Sequence, residues 1–159
     1  MKINIEDNFP ENDFFHMTDS GPEIIKSSKL FSNKKVLLVG VPGAFTPTCS
    51  EDHLPGYVNS LESFKQKGID KVFFVAPNDP FVVKSWSEAY KGCGIEFISD
   101  GNGEFREKSG FEIDLSSAGL GMRFSRFAML IDNGVIKQIF NENSPGLDIS
   151  KAENVLSNI

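Results

Sequence analysis

Val36-Leu37-Leu38-Val39-Gly40-Val41 runs directly into Pro42-Gly43-Ala44-Phe45-Thr46-Pro47-Thr48-Cys49. The first stretch is apolar and rich in β-branched residues, the pattern of a central strand buried on both faces. The second is a turn with prolines and threonines that open a helix. In open α/β sheets, function gathers at the carboxyl ends of strands, and Pro42 to Cys49 sits at such an end. Two capping registers fit. With Thr46 as cap, Pro47 takes the first helical position and Cys49 the third. With Thr48 as cap, Glu51 completes a capping box and Cys49 is first. Either way the thiol lies in the first turn, where orphan N–H groups and the helix dipole favour an anion. A free thiol has a pKa of about 8.5, which such settings bring to roughly 3.5–7.5, and the thiolate is the nucleophile. Pro42 and Pro47 remove backbone donors and stiffen the loop, and Thr46 offers a hydroxyl to a bound substrate.

Working outward, Phe14 to Thr18 reads as a short strand after an irregular arm over residues 1–13, with a turn at Asp19-Ser20-Gly21-Pro22. Glu23 to Leu30 reads as a short strand or a helical turn, and Asn33 as a tight-turn residue, since asparagine tolerates positive φ. The helix that carries Cys49 extends to about Lys67, with a kink or break expected at Pro55-Gly56. Val72 to Ala76 is a second buried strand. Asp79 caps the next helix, with Pro80 at its first position, and the helix runs from Phe81 to Lys91. Glu96 to Ile98 is a short strand, Asp100 to Gly103 a turn, Glu104 to Ser109 a helix, and Asp114 to Gly121 a loop. Arg126 to Asp132 and Val135 to Phe140 flank Asn133-Gly134, the strongest short hairpin signal in the chain. Ile149 to Ile159 reads as a closing amphipathic helix capped by Ser150. Parallel crossovers, then an antiparallel hairpin and a terminal helix, predict an α/β thioredoxin-like fold: a mixed central sheet with helices on both faces.

A length of 159 residues fits a single domain over residues 1–159, long enough to bury a core. No internal repeat, low-complexity segment or linker divides it. Sixteen basic against 22 acidic side chains leave a formal charge of −6. That argues against nucleic-acid or anionic-membrane partners. The N-terminus lacks an apolar signal-peptide core, and no run approaches the roughly 18 apolar residues of a membrane span. Two cysteines, Cys49 and Cys93, do not make a disulfide scaffold, so the expected setting is reduced and cytoplasmic. Fifteen Phe against two Tyr and one Trp predict a core rich in phenylalanine, with any exposed ones suited to an oligomer interface. Neither a phosphate-cradling glycine loop nor a zinc-ligand cluster is visible.

A thiolate that attacks an electrophile needs positive charge nearby. Arg123 and Arg126 precede the strand Phe127-Ala128-Met129-Leu130-Ile131. Arg126 can aim its guanidinium at the sulfur and at an oxygen developing negative charge. At this point a resemblance enters. Gly40-Val41-Pro42-Gly43-Ala44-Phe45-Thr46-Pro47-Thr48-Cys49-Ser50, then His53-Leu54-Pro55-Gly56-Tyr57, closely resembles the five-type, or type II, peroxiredoxins. Asn78-Asp79-Pro80-Phe81, Arg123 to Leu130 and the order of elements match as well, over nearly the whole chain.

The resemblance implies an enzyme, a thiol-dependent peroxidase for hydrogen peroxide and small alkyl hydroperoxides. Cys49 matches the cysteine that attacks the peroxide and becomes a sulfenic acid. Thr46 matches the hydroxyl residue that orients the peroxide, and Pro42 the proline that shields the thiolate. Arg126 matches the arginine that stabilises the thiolate and polarises the O–O bond, and Arg123 a second arginine of the motif. Cys49, Thr46 and Arg126 would thus contact substrate. No metal or organic cofactor is implied, and a homodimer is, with Phe45 and Phe81 as contacts.

The chain departs from the family at the resolving cysteine. One family position corresponds to Phe74, and another falls in Ser144-Pro145-Gly146-Leu147-Asp148, which has no cysteine. Cys93, between Gly92 and Gly94, is at neither. A one-cysteine mechanism follows, with glutathione, glutaredoxin or thioredoxin as external reductant. Resolution by Cys93, or a peroxide sensor that relays oxidation to a partner, are the alternatives. A thioredoxin-like disulfide exchanger is disfavoured, because Thr46 and Asp52 stand where a Cys-x-x-Cys would need its second thiol. His53, about one turn past Cys49, is expected to shape the pocket rather than to react.

Overall fold

The computed structural model describes residues 2–159. Its sheet is built around β3 (Lys35–Gly40), whose residues from Val36 onward are all buried. β4 (Lys71–Ala76) runs parallel to β3 on one side, and β8 (Phe127–Asp132) antiparallel on the other. β5 (Glu96–Ser99) continues the parallel side. β1 (Asp13–Thr18) and β2 (Gly21–Lys26) form an antiparallel hairpin at that edge, and β9 (Val135–Asn141) closes the other. The resulting order is β2-β1-β5-β4-β3-β8-β9. The helices are α1 (Ser27–Phe31), α2 (Leu54–Gln66), α3 (Pro80–Glu88), α4 (Glu104–Ser109) and α5 (Ala152–Asn158). This is the thioredoxin-like α/β arrangement expected from the sequence.

Alternation along β3 divides the core in two. Leu37 and Val39 face the side covered by α2, α3 and α5, where Cys49, Tyr57, Phe64 and Trp86 also lie. Val36 and Leu38 face the side covered by α1 and α4. That second side absorbs much of the phenylalanine: Phe14, Phe31, Phe73, Phe105, Phe111, Phe124 and Phe127 are buried there. Phe127 contacts Phe105, Phe111 and Phe124 at ring-centroid distances of 4.8 to 6.0 Å. Gly40 pairs directly with Phe127 across β3 and β8. A Cβ at position 40 would overlap the Phe127 ring, so this strand position admits glycine alone without a shift in the ring cluster.

Several local expectations hold. Asn33 and Asn133 adopt φ of 54° and 47°, and Asn133-Gly134 forms the two-residue turn between β8 and β9. Asp79 accepts from the N–H groups of Phe81 and Val82, with Pro80 at the first helical position of α3. Glu23 to Leu30 resolves into both alternatives, the end of β2 and most of α1.

Three local expectations need correction. The irregularity in the helix after Cys49 precedes Pro55: Cys49–His53 is a π-helical turn, and α2 begins regularly at Leu54 with proline in its first turn. Ser150 does not cap α5. The cap position is Lys151, and Ser150 is buried with its N–H and hydroxyl both donating to Glu142. The Asp114 to Gly121 loop is bounded by a small second sheet, β6 (Glu112–Asp114) with β7 (Met122–Phe124), and contains a 3-10 turn at Ser116–Ala118. Three-residue strands carry too little periodicity to register in a sequence.

Candidate active site

The helical segment starts at Pro47, which selects the first capping register: Thr46 is the cap, and Cys49 lies third. Thr48 is already helical, and its side chain makes no capping bond. The Thr46 hydroxyl lies 2.8 Å from the Gly43 carbonyl and 2.8 Å from Cys49 Sγ. It carries one proton, so it serves one partner as donor at a time. With Cys49 as thiol, S–H donates to Thr46 and the hydroxyl proton stays on Gly43. With Cys49 ionised, the hydroxyl is free to turn to the sulfur.

Arg126 completes the contacts. It sits one residue before β8 and donates from Nη1 to Cys49 Sγ at 3.0 Å. A guanidinium at that distance provides a charge-assisted hydrogen bond to a thiolate. Arg126 is anchored through its own carbonyl, which accepts from the Glu142 N–H at 2.8 Å. Cys49, Thr46 and Arg126 are therefore brought together. Pro42, Thr46 and Arg126 line a cleft of about 210 Å³, walled on its other sides by apolar Ile113, Leu115 and Leu120 and by the loop around Pro145. Cys49 itself is fully buried beneath this cleft.

Arg123 plays another part. It donates to the Leu120 and Pro42 carbonyls, at 2.7 and 3.1 Å, and has no bond to Cys49. It ties the Pro42 turn to the wall of the cleft. Gly43 lies under it: a Cβ there would come within 3.1 Å of the Arg123 guanidinium. Asn78 holds the same turn from the other side, its side-chain oxygen accepting from Ala44 N–H at 2.8 Å. Phe45, at the tip, adopts φ of 63° and is 56% exposed, and Phe81 is 61% exposed. Cys93 is a half-buried free thiol in the turn after α3, its N–H bonded to the Tyr90 carbonyl.

His53 is buried behind Cys49. Burial drives its pKa down to about 3, aided by the positive charge of Arg126 and opposed by a bond to the Ser150 carbonyl. It is therefore neutral at physiological pH. Because a carbonyl only accepts, Nε2 carries the proton and donates to Ser150 at 3.2 Å. Tyr57 donates to the same carbonyl at 2.7 Å, and its own pKa is raised well above normal by burial, then by the charge of Glu142. Glu142 accepts from Asp148 N–H, Ser150 N–H and the Ser150 hydroxyl. It clamps the 143–148 loop against the cleft. Among the described residues, no group of three His, Cys, Asp or Glu side chains is placed to hold a metal ion.

The residues that sequence reading missed act at a distance in the chain. Glu142 was unremarkable in a polar loop, and Asn78 was legible only as the start of a helix. Trp86 and Tyr90 were assigned to an apolar helix face. Both do pack on that core, and both also reach Ser50, Trp86 Nε1 to its hydroxyl at 3.0 Å and the Tyr90 hydroxyl to its carbonyl at 2.6 Å.

A thioredoxin-like sheet with a buried thiol at the end of β3, contacted by a threonine hydroxyl and an arginine, defines a thiol-based oxidoreductase. The Redoxin family matches residues 5–156. Peroxiredoxin-2D of Arabidopsis thaliana is 42% identical over 135 residues, covering 84% of this chain and 83% of that protein. Reduced Prx3 of Vibrio vulnificus, solved in complex with H2O2, superposes with a TM-score of 0.91 at 39% identity, covering 98% of each chain. The antioxidant protein of Plasmodium falciparum, described as a 1-Cys peroxiredoxin, gives 0.89 at 33% identity and 96% coverage of each. The chain belongs to the Redoxin family and, within it, to the peroxiredoxins, which are thiol-dependent peroxidases.

Proposed function

We propose that this chain reduces hydrogen peroxide and small alkyl hydroperoxides through Cys49 and is recycled by an external thiol. The observation that carries the reading is the convergence of Thr46 Oγ1 and Arg126 Nη1 on Cys49 Sγ, at 2.8 and 3.0 Å. The thiolate attacks the terminal peroxide oxygen. The S–O bond forms as the O–O bond breaks, and the electron pair leaves on the second oxygen, which takes a proton to become water or an alcohol. Arg126 opposes the charge that develops on the oxygens. The Thr46 hydroxyl, freed from Gly43, orients the peroxide, and Pro42 shields the sulfur. The apolar cleft walls suit a small alkyl group, and the Vibrio relative with bound H2O2 supports the simplest substrate.

Recycling consumes two thiols. The first displaces hydroxide from the sulfenic acid as water and forms a mixed disulfide. The second releases the reduced enzyme and leaves an oxidised disulfide. Glutathione, glutaredoxin or thioredoxin fits this role, with no resident cofactor. The Plasmodium relative described as one-cysteine supports resolution without Cys93. The exposed Phe45, at the tip of the Pro42 turn, and Phe81, in the first turn of α3, support a homodimer that packs through them. One domain over residues 1–159 acting in the cytoplasm, without nucleic-acid or membrane partners, completes the reading. Among the described residues no helix is long and apolar enough to cross a membrane.

The test combines Cys49→Ser, Cys93→Ser and mass spectrometry of the peroxide-treated protein with and without glutathione. Cys49→Ser abolishes peroxide consumption, and Cys93→Ser keeps most of it when glutathione is supplied. A glutathione adduct on Cys49 supports the scheme. A Cys49–Cys93 disulfide, or a Cys93→Ser variant inactive with every external thiol, refutes the one-cysteine mechanism.

A further inference from the structure

Ser50 occupies the point where the helix behind the reactive thiol changes register. Within the π-helical turn, the Leu54 N–H donates to the Cys49 carbonyl, five residues back. The next donor in that register, aimed at the Ser50 carbonyl, would belong to residue 55. Residue 55 is proline and has no N–H. Leu54, the α-helical donor for Ser50, is already committed to Cys49. The Ser50 carbonyl is therefore left without a backbone partner, a costly state for a partly buried acceptor. Tyr90 supplies what Pro55 withholds: its hydroxyl donates to Ser50 O at 2.6 Å. Trp86, one turn earlier on the same face of the α3 segment, donates to the Ser50 hydroxyl.

We infer that Tyr90 is a positioning residue for the peroxidase reaction, stabilising the π turn that places Cys49 Sγ against Thr46 and Arg126. This rests on the reading of Cys49 as the reacting thiol. Without the Tyr90 hydroxyl, the orphan carbonyl competes with Cys49 for the Leu54 N–H, and the turn shifts between the two registers, breaking the Leu54 bond each time it does. That shift rotates the first turn and draws the sulfur from its two partners. π turns are often found at functional sites, and here the device is a side chain standing in for a missing main-chain donor.

The test is a double-mutant cycle of Tyr90→Phe and Pro55→Ala, read by the second-order rate of peroxide reduction. Trp86, the chain's one tryptophan, provides the fluorescence signal. Tyr90→Phe is expected to lower the rate about tenfold, the scale of one lost hydrogen bond. Pro55→Ala restores an N–H for Ser50, so in that background the same change is expected to cost about twofold or less. No loss in the single variant, or equal loss in both backgrounds, overturns the proposal. A second measurement stands apart from catalysis and from the folding of Pro55→Ala: amide exchange at Leu54 accelerates in Tyr90→Phe relative to later amides of α2. Unchanged protection there overturns the proposal too. Activity surviving in Cys49→Ser would instead sink the assignment of the reacting thiol and leave the exchange result to be judged alone.

Discussion

His53→Gln isolates the cost of keeping a neutral imidazole behind the thiol. Glutamine retains an N–H for the Ser150 carbonyl but cannot titrate. In the unfolded chain a histidine has a pKa of about 6.5, whereas buried His53 is pushed down to about 3. Between those values the unfolded state binds the proton and the native state does not. Stability therefore falls as pH drops below 6.5, by about 1.4 kcal/mol per pH unit. From pH 7 to pH 5 His53 costs about 2 kcal/mol. Asp100 acts in the opposite sense. Burial raises its carboxyl to about 6, against bonds from the Phe105 and Arg106 N–H groups that lower it. The native state thus takes that proton first, and stability contributed by Asp100 grows as pH falls from 6 to 3.8. The two groups nearly cancel in the wild type over much of this range. In His53→Gln only the Asp100 effect remains. Urea unfolding of both proteins at pH 7 and pH 5 should show the stability difference moving by about 2 kcal/mol in favour of the variant on acidification. A difference constant within about 0.5 kcal/mol would show that native His53 takes up its proton like an exposed histidine, and would refute the account.

Two further substitutions probe the site and the sheet beneath it. Arg126→Lys keeps a positive charge but loses the planar fork, and is expected to lower the second-order rate with peroxide by about 10- to 100-fold, the range for one charge-assisted bond. Stopped-flow oxidation checks it, and a rate within twofold of wild type would count against direct contact between Arg126 and the sulfur. Gly40→Ala forces a methyl group into the Phe127 ring, which Phe105, Phe111 and Phe124 hold in place. A loss of about 3 kcal/mol or more in urea unfolding is expected. An unchanged midpoint would mean that the aromatic cluster is looser than its packing indicates.

Much of the fold was legible because its signals are local. The apolar run of β3, the Asp79-Pro80 start of α3 and the Asn133-Gly134 turn each declare themselves within a few residues. Cys49 and Thr46 were legible for the same reason, since they stand three residues apart in one helical turn. Arg126 was readable as a charge placed beside a buried strand, and the resemblance, not the local spacing, set it apart from Arg123. The distinction is tertiary: Arg123 is consumed by the carbonyls of Leu120 and Pro42, and Arg126 alone of the two reaches the sulfur. The position of the helix irregularity was misread because proline at 55 announces a missing donor and not which residue absorbs it. The π turn places the consequence upstream, at Ser50.

Ser150 shows the same limit and what it implies for the site. Read locally, a serine before an amphipathic segment is a helix cap. In the fold its carbonyl accepts from His53 and Tyr57, while its N–H and hydroxyl are held by Glu142. Glu142 in turn donates its own N–H to the carbonyl of Arg126. The C-terminal loop, the buried histidine and the arginine at the sulfur are thus joined by consecutive hydrogen bonds through two buried residues. Each bond is worth about 1 kcal/mol alone, but a buried network leaves unsatisfied partners wherever it is cut. The lower wall of the cleft is therefore fixed by the same bonds that orient Arg126. A change that loosens the 143–148 loop should alter peroxide reduction as well as access to the cleft.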